Sequence, residues 1–258
     1  MLVYFKGFIK YRSLLNEFVV RDIKTKYRRS YLGLFWTLLN PLLTMSVMAF
    51  VFSHMFRMNI LHFPVYLLAG QTIFSFYTEA TTNAMHSIIA SSSLIKKIYM
   101  PKYLFPLSKT LSCMVSLVAS FIALLAVMLV TGVPVKPSCF LAILPMIYIF
   151  LFSFGIGLVL SSISVFFRDI VHFYGVLTTL LMYLTPMFYP FEALPNIAKS
   201  FVQLNPLTNI VEYMRVVTLY GSVPPLSLNV ICLIPGVVSI AVGALVFFRN
   251  QYKFILYI

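Results

Sequence analysis

Few side chains in this 258-residue sequence are equipped for chemistry, and only one carboxylate falls within a long apolar run. That residue is Glu79, and an ionisable group at membrane depth is a candidate functional residue by default. A second interpretation is a carboxylate that contacts water or bonds to Thr78, Thr81 or Asn83. His86 falls on the same helical face, which indicates a polar stripe but not a metal or relay site. The six acidic residues of the chain are Glu17, Asp22, Glu79, Asp169, Glu192 and Glu212.

The sequence lacks the motifs of nucleotide-hydrolysing and other hydrolytic enzymes. It contains no G-x-x-x-x-G-K-[ST] loop for phosphates, no G-x-S-x-G and no H-E-x-x-H. Cys113, Cys139 and Cys232 lie far apart without C-x-x-C or Cys/His metal spacing, which favours buried, inert thiols. We therefore expect a non-enzymatic chain with no catalytic residue, cofactor site or metal site of its own.

The composition indicates an integral membrane protein. The chain is 61% hydrophobic and 10% charged, whereas soluble domains are about 45–50% apolar and about 25% charged. The net charge is +13, and the basic residues lie in short tracts between apolar runs. Such tracts are typical of cytoplasmic loops that contact anionic lipid. No basic globular domain is present that could read nucleic acid, so we expect membrane lipids and not nucleic acid as contacts.

The pattern of apolar runs predicts an all-α membrane protein with one membrane domain, residues 33–248. Residues 1–32 would form a cytoplasmic segment with an amphipathic helix at the membrane surface, because apolar residues recur every four positions from Tyr11. Residues 249–258 would be a cytoplasmic tail. A span needs about 20 apolar residues, and six runs qualify: 33–56, 64–90, 104–131, 139–166, 171–191 and 226–248.

The segment between the fifth and sixth runs is the longest predicted outer piece. Residues 192–225 contain four prolines and short apolar helical stretches that are too short to cross a bilayer. Such stretches are often re-entrant or interfacial, so we expect short outer helices that pack on the bundle. Pro186 and Pro190 predict a broken helix at the end of the fifth run.

The distribution of Lys and Arg predicts the orientation. If the N-terminus is cytoplasmic, 15 of the 19 Lys and Arg residues fall in inner segments. This bias predicts a multi-pass protein with both termini in the cytoplasm.

Two aromatic clusters are candidate channel linings, because aromatic faces contact sugar rings through C–H edges. An aromatic belt at the membrane interface is the alternative for each of these residues. The candidates for a channel lining, with Glu79 included, are Tyr31, Phe35, Trp36, Glu79, Tyr183, Phe188 and Tyr189.

Several segments in order resemble one known family. The basic segment 21–30 runs into YLGLFWTLLNPL at 31–42, followed by KKIYMPK at 96–102 and VFFRDI at 165–170. TPMFYPFEALP at 185–195 and QLNPLTNIVEYMR at 203–215 complete the pattern. In these features the chain resembles the permease subunit of ABC-2 type exporters, most closely the polysaccharide-exporting permeases that move lipid-linked O-antigen.

The resemblance implies a transport complex in the bacterial cytoplasmic (inner) membrane. It implies a second copy of this chain, two copies of a separate ABC ATPase that binds ATP and Mg²⁺, and an undecaprenyl-linked glycan as cargo. The residues implied to couple to the ATPase are Arg28, Lys96, Lys97, Pro101, Arg168 and Asp169. For the basic residues among them, the alternative is a role in membrane topology and lipid contact alone.

Other cargoes and other classes stay open at this point. Teichoic acid and capsule exporters share the same plan. An ion-coupled carrier or flippase would need internal repeats and several intramembrane charges, and a glycolipid transferase would need clustered carboxylates or histidines. The sequence contains neither pattern, which favours the exporter.

Overall fold

A computed structural model describes residues 11–28, 30–52, 60, 62–191 and 194–258. These residues form helices without strands. The part of the first predicted span beyond residue 52, residues 1–10 and 29 of the N-terminal segment, and Glu192 lie outside the described residues. In chain order the helices are α1 (Arg12–Tyr27), α2 (Trp36–Phe50), α3 (Phe63–Ala90), α4 (Ser92–Lys97), α5 (Leu104–Val130), α6 (Ile143–Phe166), α7 (Ile170–Leu184), α8 (Asn196–Leu204), α9 (Pro206–Thr218), α10 (Leu226–Asn250) and α11 (Phe254–Tyr257).

Among the described residues, four helical segments are long and apolar enough to cross a membrane. They correspond to four of the six runs that the sequence predicts. The second run forms α3, which has 28 residues and measures about 42 Å at the usual rise of an α-helix. The fifth run forms only the 15 residues of α7. The four segments are Gly33–Phe50, Leu104–Val130, Pro137–Phe166 and Leu226–Tyr257.

Helix α3 is the centre of the bundle. It packs on α2, α5, α6, α7 and α9, and most of its apolar side chains are buried in these contacts. Helices α6 and α10 form another extensive contact, since glycines let their backbones approach closely. A Cβ on Gly155 or Gly243 would collide with backbone atoms of the facing helix.

Helices α2 and α7 are the least covered long helices. Met45 is the one buried residue of α2, and Tyr174 is the one buried residue of α7. The Tyr174 hydroxyl donates a 2.6 Å hydrogen bond to Thr81 Oγ1 of α3. Helix α7 ends at Leu184, so the break that Pro186 predicted is present.

Helix α1 packs on protein through the apolar face that the sequence predicted. Leu15 and Phe18 are each 6% exposed, and Phe18 stacks on Phe105 at the start of α5 with 5.6 Å between ring centroids. The helix then runs beside α5 in the same direction, from Phe105 toward Ser116. The expectation that this face rests on the membrane surface is therefore wrong for Leu15 and Phe18, which are covered by the bundle.

Candidate functional site

A polar stripe runs along one face of α3, opposite its buried side. Gln71, Ser75, Glu79, Asn83 and His86 follow one another at intervals of three or four residues, so they share a helical face. Ser75, Asn83 and His86 are exposed, and the other two are half-buried. In an apolar bundle such a stripe requires water or protein partners. The stripe that Glu79 and His86 indicated in the sequence is therefore present and longer than predicted.

Helices α2 and α5 supply the facing walls. Ser112, Ser116 and Ser120 recur every four residues along α5, and α2 contributes Thr37 and Asn40. A cavity of about 330 Å³ lies between these walls and the α3 stripe, and Trp36 also lines it. This cavity is at the lower end of the size range of ligand pockets.

A second cavity of about 580 Å³ continues the first toward α1. It is lined by Asp22 of α1, by Asn83, and by Lys109 and Ser112 of α5. The two cavities share three lining residues, so they form one continuous depression, which we call the polar groove. The three shared residues are Lys26, Asn40 and Glu79.

An ion pair crosses the polar groove where the two cavities meet. Lys26 Nζ of α1 lies 2.5 Å from Glu79 Oε1 of α3 and donates a 3.1 Å hydrogen bond to Ser116 Oγ of α5. A second pair joins Lys109 Nζ to Asp22 Oδ1 at 3.0 Å. Two ion pairs therefore tie α1 to the central helices.

The partner of Glu79 differs from the sequence-based expectation. Thr78 and Thr81 donate to carbonyl oxygens of their own helix, and the Asn83 amide donates to Cys113 Sγ at 3.3 Å. Glu79 is instead paired with Lys26, 53 residues away in the sequence. No local spacing could have identified it.

The aromatic candidates fall into two places. Trp36 lies with Glu79 in the polar groove, whereas Tyr31 and Phe35 are exposed on the surface before α2. The Tyr189 hydroxyl donates a 2.6 Å hydrogen bond to the Tyr183 carbonyl.

The last of the candidates, Phe188, stacks on Phe52 at a centroid distance of 5.4 Å. This contact brings the far end of α2 to the segment after α7. The segments that follow α2 and α7 therefore meet at one end of the bundle.

A buried arginine, missed as a structural residue by the sequence analysis, fixes the segment that follows α7. Arg215 of α9 is 1% exposed, and its guanidinium lies 3.4 Å from the centroid of the Tyr66 ring. Its Nη2 donates a 2.7 Å hydrogen bond to the Pro186 carbonyl. The sequence pattern predicted only an outer positive charge at this position. The structure shows a clamp that joins α9, α3 and the broken end of α7.

Comparison with known proteins decides the family. The ABC-2 type transporter family matches residues 14–219. The chain belongs to the ABC-2 type transporter family. The polar groove and the Arg215 clamp both lie within the matched residues.

Curated relatives of this ABC-2 chain extend over most of its length. It is 27% identical over 244 residues to the O-antigen export system permease protein RfbA of Klebsiella pneumoniae, covering 94% of this chain and 93% of that protein. It is 30% identical over 207 residues to RfbA of Myxococcus xanthus, 78% of each chain. The capsule polysaccharide export inner-membrane protein CtrC of Neisseria meningitidis is 23% identical over 79% of this chain and 78% of its own length.

The residues expected to couple this ABC-2 chain to an ATPase do not all lie together. Ile95 and Val165 belong to one buried cluster with Phe18 and Phe105, which places the neighbouring charges at the same end of the bundle. Lys96, Lys97, Arg168 and Asp169 are exposed there, and Pro101 is partly buried.

Arg28 is the exception among these residues. It follows α1 ten residues beyond Phe18, about 15 Å along the helix, near the Glu79 side of the groove.

Lys102 holds the C-terminal helix at the charged end of the bundle, because it donates a 2.6 Å hydrogen bond to the Gln251 carbonyl. Burial lowers the pKa of this lysine.

Within the described part of the chain, no group of three His, Cys, Asp or Glu side chains is placed to hold a metal ion. What the arrangement offers is a groove lined by hydroxyls and amides, with two ion pairs among its lining residues. Such a surface can form hydrogen bonds with a polyhydroxylated molecule.

Proposed function

We propose that this chain is the membrane subunit of an ATP-driven ABC exporter that moves a lipid-linked polysaccharide across the bacterial cytoplasmic membrane. O-antigen is the first candidate cargo, because two of the relatives are named as O-antigen export permeases. The observation that carries the proposal is the polar groove, since a helical bundle of such apolar composition has no structural need for a continuous stripe of amides and hydroxyls.

The proposal includes six spans with both termini in the cytoplasm. The four apolar segments would account for four of the spans. The other two would be α3, whose polar stripe lowers its mean hydropathy, and α7 together with the segment that follows it. The excess of Lys and Arg in the inner segments supports this orientation. On this arrangement α8 and α9 lie at the outer face, and α4 lies at the cytoplasmic face.

We propose that the working unit contains two copies of the chain and two copies of an ABC ATPase. The low burial of α2 and α7, which have one buried residue each, supports the pairing, because a second copy would cover these two helices. A glycan held between two copies would face Trp36, Tyr183 and Glu79. Undecaprenyl, the proposed lipid anchor, would stay in the surrounding bilayer.

ATP and Mg²⁺ would bind to the partner ATPase, and this chain would convert the partner's closure into movement of helices. Lys96 and Lys97 on one link and Arg168 and Asp169 on another are the proposed docking contacts. Displacement of α1 would separate Lys26 from Glu79, which opens the groove between its two cavities. Coupling requires that the ATP-bound partner favours the opened packing over the closed one.

A capsule polysaccharide is the second candidate cargo, favoured by the similarity to CtrC. Teichoic acid export would use the same arrangement. An ion-coupled carrier is the less favoured alternative, because Glu79 is bound to Lys26 and is not part of a chain of intramembrane carboxylates.

Deletion of the coding sequence in the source bacterium tests the proposal. We expect loss of the surface polysaccharide and accumulation of lipid-linked glycan inside the cell, both reversed by the wild-type chain. A P-loop lysine variant of the partner ATPase should produce the same loss. Unchanged surface polysaccharide in the deletion strain would refute the proposed function.

A further inference from the structure

A third cavity lies on the opposite side of α9 from its buried face. It has a volume of about 330 Å³ and lies between α9, the end of α8, the segment after α7 and the first turn of α3. We call it the α9 pocket. Its polar lining consists of Gln203, Thr208, Asn209 and Glu212, and its aromatic lining includes Tyr66 and Tyr220.

Thr208 carries an unsatisfied hydroxyl in this pocket. The residue is 6% exposed, and its Oγ1 has no hydrogen-bond partner in the described structure. Thr218, on the same helix, instead donates to the Met214 carbonyl one turn back. Thr208 is near the start of α9, where no earlier turn of the helix exists, so this route is closed to it. A buried hydroxyl without a partner is costly, and one that lines a cavity indicates a ligand.

The other polar groups are arranged around this hydroxyl. Glu212 lies one turn after Thr208 and therefore on the same face of α9. Its Oε2 forms an ion pair with Arg215 Nη1 at 3.9 Å. The Asn209 amide donates to the Gln203 carbonyl at 3.2 Å, which holds the amide at the pocket.

We infer that the α9 pocket binds a neutral sugar residue of the glycan, an inference that rests on the proposed function. A hydroxyl, two amides and a carboxylate match sugar hydroxyls, each of which both donates and accepts, and the tyrosine rings offer faces to sugar C–H groups. Among the described residues that line the pocket there is no Lys or Arg, and Glu212 contributes a carboxylate. A phosphate or an acidic sugar is therefore disfavoured.

The pocket is joined to the segment that the Arg215 clamp fixes. The Tyr66 hydroxyl donates a 2.9 Å hydrogen bond to the Tyr189 carbonyl, and Pro186 and Pro190 also line the cavity. A sugar bound there would contact the outer end of the proposed path. The pocket would hold each sugar residue as it leaves and oppose its return.

Saturation-transfer NMR on the complete exporter in lipid nanodiscs tests the inference. The probes are methyl glycosides of glucose, galactose, mannose and N-acetylglucosamine, with methyl glucuronide as the acidic comparison. We expect at least one neutral glycoside to bind, and T208V, which removes the hydroxyl but keeps the shape, to weaken it about twofold to tenfold. T208S should retain binding, and T218V is the matched control outside the pocket. E212Q should improve the binding of methyl glucuronide relative to the neutral glycosides.

No saturation transfer to any neutral glycoside, or equal affinities for T208V and T218V, would overturn the inference. Surface glycan of the source bacterium is measured in parallel, so that the two proposals fail separately. If no glycoside binds but surface glycan still requires this chain, the inference about the α9 pocket is wrong and the proposed function stands. If surface glycan persists without the chain, the proposed function is wrong.

Discussion

The ion pair between Lys26 and Glu79 should hold α1 in the closed position of the polar groove. The test is a double-mutant cycle with Lys26→Met, Glu79→Gln and the double variant, with Lys24→Met as the matched control. Lys24 is an exposed lysine on the same helix, so its replacement makes the same change in charge without touching the groove. We expect the two single variants to weaken the resting packing of α1 and the double variant to add little more.

The magnitude follows from the exposure of the pair. The Lys26 side chain is 46% exposed and the Glu79 side chain is 28% exposed, so solvent screens much of their attraction. Exposed pairs contribute about 0.2–1 kcal/mol, and the 2.5 Å contact with a further bond to Ser116 places this pair near the upper end. A coupling free energy of about 1 kcal/mol corresponds to about a fivefold change in the closed-to-open ratio of α1.

Thermal unfolding of the purified exporter measures the coupling free energy, and the basal ATPase rate reports how often α1 moves without cargo. We expect faster basal hydrolysis in both single variants and a partial return toward the wild-type rate in the charge-swapped Lys26→Glu, Glu79→Lys variant. Salt should weaken the effect because the pair is partly exposed. Export by Glu79→Gln should not depend on an ion gradient.

Three results would refute this reasoning. Additive effects of the two single variants would show that the residues do not interact. If the control variant Lys24→Met has the same effect as Lys26→Met, only the net charge of helix α1 matters. Export that depends on a proton or sodium gradient in Glu79→Gln would revive the carrier alternative.

Three further outcomes follow from other contacts. Replacing Lys96 and Lys97 together by Ala should uncouple ATP hydrolysis from export; export and hydrolysis that stay coupled would remove their docking role. Replacing Tyr183 and Tyr189 together by Phe should preserve glycan export, whereas Ala at both should reduce surface glycan without loss of assembled complex; wild-type surface glycan with Ala would return them to an aromatic belt. Arg215→Lys should lower thermal stability by about 1–2 kcal/mol, because an ammonium cannot stack on Tyr66 and bond to the Pro186 carbonyl in the same way; an unchanged melting temperature would contradict the clamp.

The helices were predictable wherever apolar length decides the structure. The apolar runs identified α5, α6 and α10, and Pro186 identified the end of α7. The serine stripe of α5 was visible in the sequence as Ser112, Ser116 and Ser120, because a spacing of four residues marks one helical face. It was missed because serines in apolar helices usually bond to their own backbone.

Other features depend on tertiary packing and have no local signal. Lys26 and Glu79 are far apart in the sequence, and only the packing of α1 against α5 brings them together. Arg215 is part of an amphipathic helix in which either a solvent-exposed or a buried position fits the pattern. Its burial depends on the ring of Tyr66 and on carbonyls that the break after α7 leaves without helical partners.

The central claim is that this chain moves a glycan only with energy from a separate ATPase. Proteoliposomes that contain the chain with its partner ATPase, supplied with lipid-linked glycan from the source bacterium on the ATPase side, test it most directly. A lectin assay then measures how much glycan crosses the bilayer. We predict transport with ATP and the partner, and none with the chain alone or with a non-hydrolysable ATP analogue. Uphill glycan transport by the chain alone, without any ATPase, would contradict the account.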